Sequence, residues 1–235
     1  MVAQIPMNFA PADNIAFESF FPGGNEVVVQ ALREICDGNG PVCLYLWGAD
    51  GSGKTHLLQA ACRQVSEDGA KSLYLPLDRA GQFTVEVLEG LESMQLVCLD
   101  DIQSIARRGN WQEAVFHLFN RIHDSSGHLV IAGSAAPAHQ GFTLPDLASR
   151  LGSGPVFHLQ VLDDEGKQQA LMQRARIRGI NLSNEVTGYL MKHYPRDMQF
   201  LFDFLDTLDT ASLIDQRRIT VPYIKELLRD QEAAD

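Results

Sequence analysis

Hydrophobic and polar positions divide this chain into two regimes. Between residues 42 and 161, short unbroken apolar runs alternate with segments of helical spacing. Residues 42–47, 72–75, 95–99, 128–132 and 156–161 read as strands, because a continuous apolar run of this length marks a strand buried on both faces of a sheet. Residues 25–36 read as a helix with Val28, Ala31, Leu32 and Ile35 on one face, broken by the Asp-Gly-Asn-Gly stretch 37–40. Residues 54–65 and 111–123 also read as helices, with short ones at 85–91 and 145–151. After residue 162 no strand pattern returns. Helical stretches cover 164–178, 184–193, 197–213 and 221–229. In the third of these, Met198, Leu201, Leu205, Leu208 and Ser212 fall on one stripe. Thr220 is a fitting N-cap for the last, with Pro222 in its first turn. Strands alternating with helices predict an α/β fold: a parallel five-stranded sheet with helices on both faces, followed by a small all-α domain. The expected division is a flexible tail over 1–12, an α/β domain over 13–162 and a helical domain over 163–235.

Composition narrows the class. The first eleven residues carry no positive charge and no long apolar core, so no secretory signal is expected. No apolar run approaches the roughly 18 residues that span a bilayer. A soluble cytoplasmic protein is the expectation. Cys36, Cys43, Cys62 and Cys98 lie in predicted helices or strands without paired spacing, which reads as buried reduced thiols. The histidines are scattered and form no His-Glu-x-x-His, so no transition-metal site is expected. The net charge of −11 argues against strong autonomous DNA binding, which needs a basic face.

The strongest chemical signal is Gly48, Ala49, Asp50, Gly51, Ser52, Gly53, Lys54 and Thr55, a complete Gly-x4-Gly-Lys-Thr motif between a strand pattern and a helix pattern. Glycines let backbone N–H groups turn inward around phosphate oxygens, and the helix that follows presents its positive end to them. Lys54 is placed to reach the β- and γ-phosphates, and the Thr55 hydroxyl to ligate Mg²⁺. His56 comes next. The strand at 95–99 ends in Asp100 and Asp101. In a parallel sheet, strand C-termini and the phosphate loop share one edge, so Asp100 is a candidate Mg²⁺ ligand and Asp101 is placed to orient a water. The alternative is that both carboxylates merely cap the strand in solvent.

The phosphate loop, the paired aspartates and the helical lid resemble the AAA+ ATPases. Residues 17–25 (Phe-Glu-Ser-Phe-Phe-Pro-Gly-Gly-Asn), 100–103 (Asp-Asp-Ile-Gln), 112–120 (Gln-Glu-Ala-Val-Phe-His-Leu-Phe-Asn) and 147–151 (Leu-Ala-Ser-Arg-Leu) are similar to motifs of the bacterial initiator DnaA family. The resemblance covers roughly residues 15–230. It implies an adenine nucleotide, ADP or ATP, near Phe20 and Phe21. It makes Arg150 a candidate arginine finger that reaches a neighbouring subunit's nucleotide. It makes Arg196, at the start of a lid helix, a candidate sensor of the phosphates. The bland alternatives are a surface arginine pairing with Asp146 and an ordinary helix-start arginine.

Relative to that family, the sequence shows neither the C-terminal helix-turn-helix domain nor the long N-terminal domain. Gln4, Ile5, Met7 and Phe9 instead resemble a peptide that binds the sliding clamp, the β subunit of DNA polymerase III. In such a peptide a glutamine and alternate apolar residues enter a groove. The combination resembles the DnaA-homologous regulators, which dock on the clamp and stimulate hydrolysis of ATP held by the DnaA initiator. A face-to-tail homodimer is a further expectation. Two departures stand out. Ser134 replaces an aspartate of the family pattern, and Asp101 reaches one methylene less far than a glutamate. The alternative function is an autonomous AAA+ ATPase or loader. Arg107 and Arg108 read as a solvated loop more readily than as a DNA contact, and Phe116 and Phe119 as core residues.

Overall fold

A computed structural model describes residues 15–215 and 219–232; the tail peptide carrying Gln4, Ile5, Met7 and Phe9 lies outside the described residues. The chain divides into two compact units between Val161 and Leu162.

The first unit is built on five strands: β1 (Cys43–Trp47), β2 (Ser72–Pro76), β3 (Leu96–Asp100), β4 (His128–Gly133) and β5 (Val156–His158). Their spatial order is β2-β3-β4-β1-β5, and every pairing is parallel. Four helices join them: α1 (Glu26–Cys36), α2 (Lys54–Glu67), α3 (Gly109–His123) and α4 (Pro145–Leu151). Because side chains alternate across a strand, each central strand feeds two cores. Leu44, Leu46, Leu96, Cys98, Val130 and Ala132 pack with α1 and α2. Cys43, Tyr45, Val97, Leu99, Leu129 and Ile131 pack on the other face with α3 and α4. That double burial is why these strands read as unbroken apolar runs. The four cysteines are all reduced and buried within these layers.

Two expectations change in detail. The segment 85–91 is not an α-helix but two 3₁₀ turns, Val85–Leu88 and Leu91–Ser93, separated by Gly90 at φ 77°. A left-handed residue there ends any helical ladder. The last strand pairs only over Val156–His158, opposite Tyr45–Trp47, and not to residue 161.

The second unit is all helical: α5 (Asp164–Ile177), α6 (Asn184–His193), α7 (Met198–Asp215) and α8 (Val221–Glu232). Asp163 and Ser183 cap α5 and α6 through their side chains. Leu171, Leu190, Leu201, Leu205, Leu208 and Ile224 form its core. Among the described residues, no helix is long and apolar enough to cross a membrane.

Asn25 fixes the N-terminal segment to the sheet. It stands at the N-cap position of α1, yet its side chain makes no capping bond. Instead its Nδ2 donates to the Pro22 and Gln160 carbonyls at 2.9 and 3.0 Å, and its Oδ1 accepts from Gln160 N–H at 2.9 Å. Only 4% of the residue is exposed, so these bonds replace water rather than compete with it. Asn25→Ala is expected to lower stability by about 1–3 kcal/mol, read as a shift of the urea midpoint at constant slope.

Candidate functional site

The loop 48–53 leaves β1 and enters α2. Gly53 has φ 93° and Gly51 φ 75°, a conformation that side chains rarely adopt. Space imposes the same demand as the dihedrals. A Cβ on Gly48 would lie 2.5 Å from the Leu159 carbonyl oxygen, and one on Gly53 would lie 2.6 Å from the Phe20 ring. Phe20 therefore lies against the turn into α2, and Leu159, the residue that follows β5, abuts the loop's beginning. Ala49, Asp50 and Gly51 form the exposed tip.

Two polar groups at this turn are buried. Lys54 is 7% exposed, and its ammonium donates to the Gly48 and Ala49 carbonyls at 2.8 and 2.9 Å. The buried Ser52 Oγ has no hydrogen-bond partner among the described residues. A buried hydroxyl without a partner is costly, and a phosphate oxygen would satisfy it.

At the foot of α2, Thr55 Oγ1 donates to Asp100 Oδ2 at 2.7 Å. The same oxygen accepts from Tyr74 O–H at 2.9 Å, and Asp100 Oδ1 accepts from Asp101 N–H at 2.9 Å. Burial pushes the Asp100 carboxyl above its ordinary value; the Thr55 bond opposes this, the Asp101 charge adds to it, and the Tyr74 bond opposes it. Tyr74 is pushed up too, by burial and then by the Asp100 charge. Thr55 is exposed beside this carboxylate. A hydroxyl and a carboxylate side by side at the end of a phosphate loop are hard oxygen donors, which fit a divalent cation carried by a nucleotide. No cluster of three or more His, Cys, Asp or Glu suited to a dedicated metal site occurs among the described residues.

Asp101 has φ 54°, the one left-handed non-glycine residue among those described. Its Oδ1 accepts from Gln103 Nε2 at 2.8 Å, and Gln103 Oε1 accepts from Ser134 N–H at 3.2 Å. Expected to orient a water, Asp101 thus has one oxygen engaged by a glutamine. His56 Nε2 is 2.9 Å from the Ala16 carbonyl and 3.3 Å from Ser19 Oγ, so it ties the N-terminal segment to α2. Phe20 and Phe21 are half-buried on that segment.

Arg150 lies in the last turn of α4, not after it. It is exposed, its guanidinium sits 5.8 Å over the Phe119 ring, and no carboxylate pairs with it among the described residues, Asp146 included. In the second unit, Arg196 stands ahead of α7, whose N-terminal Phe200 N–H bonds to Asp197. The Arg196 guanidinium pairs with Asp164 and donates to the Met191 carbonyl at 3.0 Å. Arg107 and Arg108 are exposed, and Phe119 is buried.

Sequence reasoning missed Tyr74, Gln103, Gln112 and Gln140. Tyr74 left one signal, an aromatic hydroxyl near the end of a parallel strand adjacent to the carboxylate strand. Gln103 and Gln112 stand within the motifs at 100–103 and 112–120, which carry the resemblance without assigning either a role, and Gln140 left no signal.

The sheet order, the glycine cradle and the buried carboxylate define a P-loop nucleotide-binding domain of the AAA+ class with a helical lid. Residues 12–158 match the bacterial DnaA ATPase domain, and the chain belongs to that family. Residues 164–228 match the lid domain of Hda, a DnaA-homologous AAA+ protein. Solved structures repeat the fold. A replication initiator DnaA bound to AMPPCP and single-stranded DNA superposes with a TM-score of 0.75 at 22% identity, over 96% of this chain and 70% of that one. Domain III of DnaA from Thermotoga maritima gives 0.74 at 24% identity, over 93% and 97%. AMPPCP-bound DnaA from Aquifex aeolicus gives 0.73 at 23% identity, over 85% and 66%.

Gly48→Ala forces its new methyl against a backbone oxygen that cannot rotate away. It is expected to cost about 1–3 kcal/mol, measured by urea unfolding. Gly109→Ala makes a control, since no atom lies within 4 Å of its Cβ position and its φ is not left-handed, so the difference between the two variants reads the clash.

Proposed function

We propose that this chain is a regulator of replication initiation that acts on the DnaA initiator in trans. It holds ADP, or ATP with Mg²⁺, through Gly48–Thr55, with Phe20, Phe21 and His56 on the base side and Thr55 and Asp100 toward the cation. The bound Mg²⁺ neutralises charge on the phosphates. The chain's own residues hold and orient the nucleotide, and Arg196 reports its state within the lid. The segment containing Gln4, Ile5, Met7 and Phe9 docks on the sliding clamp. Arg150 is presented to ATP held by an AAA+ neighbour, where a guanidinium stabilises charge on the transferring phosphoryl group.

The observation that carries this reading is the state of Arg150. It is exposed on a short helix anchored by Leu147 and Leu151, both fully buried, and it has no carboxylate partner among the described residues. A free cation on a rigid mount suits action on a second molecule. The match of the lid to that of Hda supports the regulatory role. Its own hydrolysis is slow, in keeping with the short, glutamine-bonded Asp101. Residues 1–12, 13–162 and 163–235 serve as docking tail, nucleotide domain and lid. The net charge of −11 fits a protein brought to DNA by the clamp rather than by its own DNA affinity. The working form is a cytoplasmic homodimer that exchanges its face-to-tail contact for one with the initiator.

Two measurements test it. Lys54→Ala is expected to weaken ADP binding by about 10- to 100-fold, read by calorimetry. Hydrolysis of ATP prebound to DnaA is expected to rise when this protein and DNA-loaded clamp are both present. Arg150→Ala, or deletion of residues 4–9, is expected to remove that rise. Rapid hydrolysis by this protein alone, without stimulation of DnaA, would instead identify an autonomous ATPase or loader.

A further inference from the structure

The helix that carries Arg150 begins without a cap of its own. Its N-cap position is Leu144, which has no side-chain oxygen, and no capping bond is made there. The exposed N–H groups of a helix start normally need an acceptor. Here the acceptor comes from another helix. Gln112, in the first turn of α3, is fully buried. Its Oε1 accepts from Thr143 N–H at 2.9 Å, Leu144 N–H at 3.0 Å and Thr143 Oγ1 at 3.2 Å. Its Nε2 donates in the other direction, to the carbonyls of Ile105 and Ala106 at 3.1 and 2.7 Å.

Those two carbonyls close the 3₁₀ turn Ile102–Ile105 that follows Asp100 and Asp101. One carboxamide therefore spans from the carboxylate end of β3 to the first residues of α4. Both ends of the carboxamide, its Nε2 and its oxygen, are bonded within the protein, and the residue has no exposed surface. A second glutamine runs beside it. Gln140 Oε1 accepts from Ala135 N–H at 2.9 Å, and its Nε2 donates to Ser134 Oγ at 3.4 Å. Ser134 is in turn bonded to Asp101 through Gln103. The segment 140–144 is thus tethered at both ends to the edge of the sheet that carries the carboxylates.

We infer that Gln112 is a positioning residue for the arginine finger: its carboxamide locks the start of α4 to the turn after Asp101 and so sets where Arg150 is held. α4 has only seven residues, so a tilt at its start carries directly to the guanidinium in its last turn. Losing about an ångström of placement at a catalytic cation costs on the order of 10²-fold in rate. The inference rests on the reading of Arg150 as a finger acting in trans.

The test uses the full chain with Gln112→Met, which keeps length and volume and removes the polar ends. The activity readout is DnaA-bound ATP hydrolysis with loaded clamp, titrated with this protein. The second readout is amide hydrogen exchange of residues 141–151 against that of β1 and β4. The saturating rate is expected to fall between about 10- and 100-fold, with the half-saturating concentration unchanged. Protection is expected to drop in 141–151 alone. The double variant with Arg150→Ala is expected to be no worse than Arg150→Ala. Thr143→Val removes one hydroxyl from the same site, and keeps the test open should Gln112→Met not fold; it is expected to lower the saturating rate in the same direction, by less. Unchanged protection of 141–151 in Gln112→Met, or in Thr143→Val an unchanged rate where Gln112→Met does not fold, overturns the inference. Lost protection with an undiminished saturating rate, while Arg150→Ala abolishes stimulation, also overturns it. If Arg150→Ala itself has no effect, the finger reading fails instead, and the exchange result alone decides whether Gln112 anchors the helix.

Discussion

A fully buried carboxylate organises this nucleotide domain. Asp100 has no exposed surface, and burying a charge is expensive unless hydrogen bonds replace its water. Three donors meet that demand: the Thr55 hydroxyl, the Tyr74 hydroxyl and the Asp101 N–H. Each comes from a different place in the chain, namely the start of α2, the middle of β2 and the residue that leaves β3. Satisfying one carboxylate therefore fixes the register of the phosphate loop's helix against two strands. The same requirement leaves the site receptive. Burial raises the Asp100 carboxyl against the pull of its donors, so a positive partner beside Thr55 would relieve a cost the fold already carries.

Close backbone approach is the second constraint, and it extends the site toward the N-terminus. Gly48 has no room for a side chain because of the Leu159 carbonyl, and Gly53 has none because of Phe20. Asn25 bonds both ways to Gln160, one residue past Leu159. The segment before α1, the loop after β1 and the exit of β5 thus form a closed ring of contacts around α2's start. His56 adds a further tie from α2 to Ala16. A change at any of the three pieces is felt by the other two, because each of these contacts has backbone or glycine on at least one side.

How much of this could be read from the chain follows from what kind of force is involved. Strands buried on both faces announce themselves as apolar runs, so β1 to β4 were legible to within a residue or two, as were the lid helices apart from the last, which runs three residues past the expected end. The phosphate loop was legible because glycine, lysine and threonine are required there by backbone geometry and charge. The break at Gly90 was not, since a leucine-rich stretch such as 85–91 carries the same spacing whether it forms one helix or two short turns. Nor was the end of β5, where only three residues find partners on β1. Tyr74 and the glutamines were invisible for a deeper reason. Tyr74, Gln103 and Gln112 each reach a partner 26 to 31 residues away, and nothing in local periodicity records which segments the fold brings together.

The charge count at the sheet's edge makes the departure at Ser134 intelligible. Ser134 offers its N–H to Gln103, whose other end holds Asp101, and its hydroxyl accepts from Gln140. An aspartate there would place a third carboxylate within one glutamine's reach of two others, where the charge of Asp101 already pushes Asp100 upward. Like charges that close must be offset by a cation or by protonation. A serine joins the same hydrogen-bonded frame without adding to that load. The frame of neutral amides can then hold its shape whether or not a nucleotide and its cation are bound.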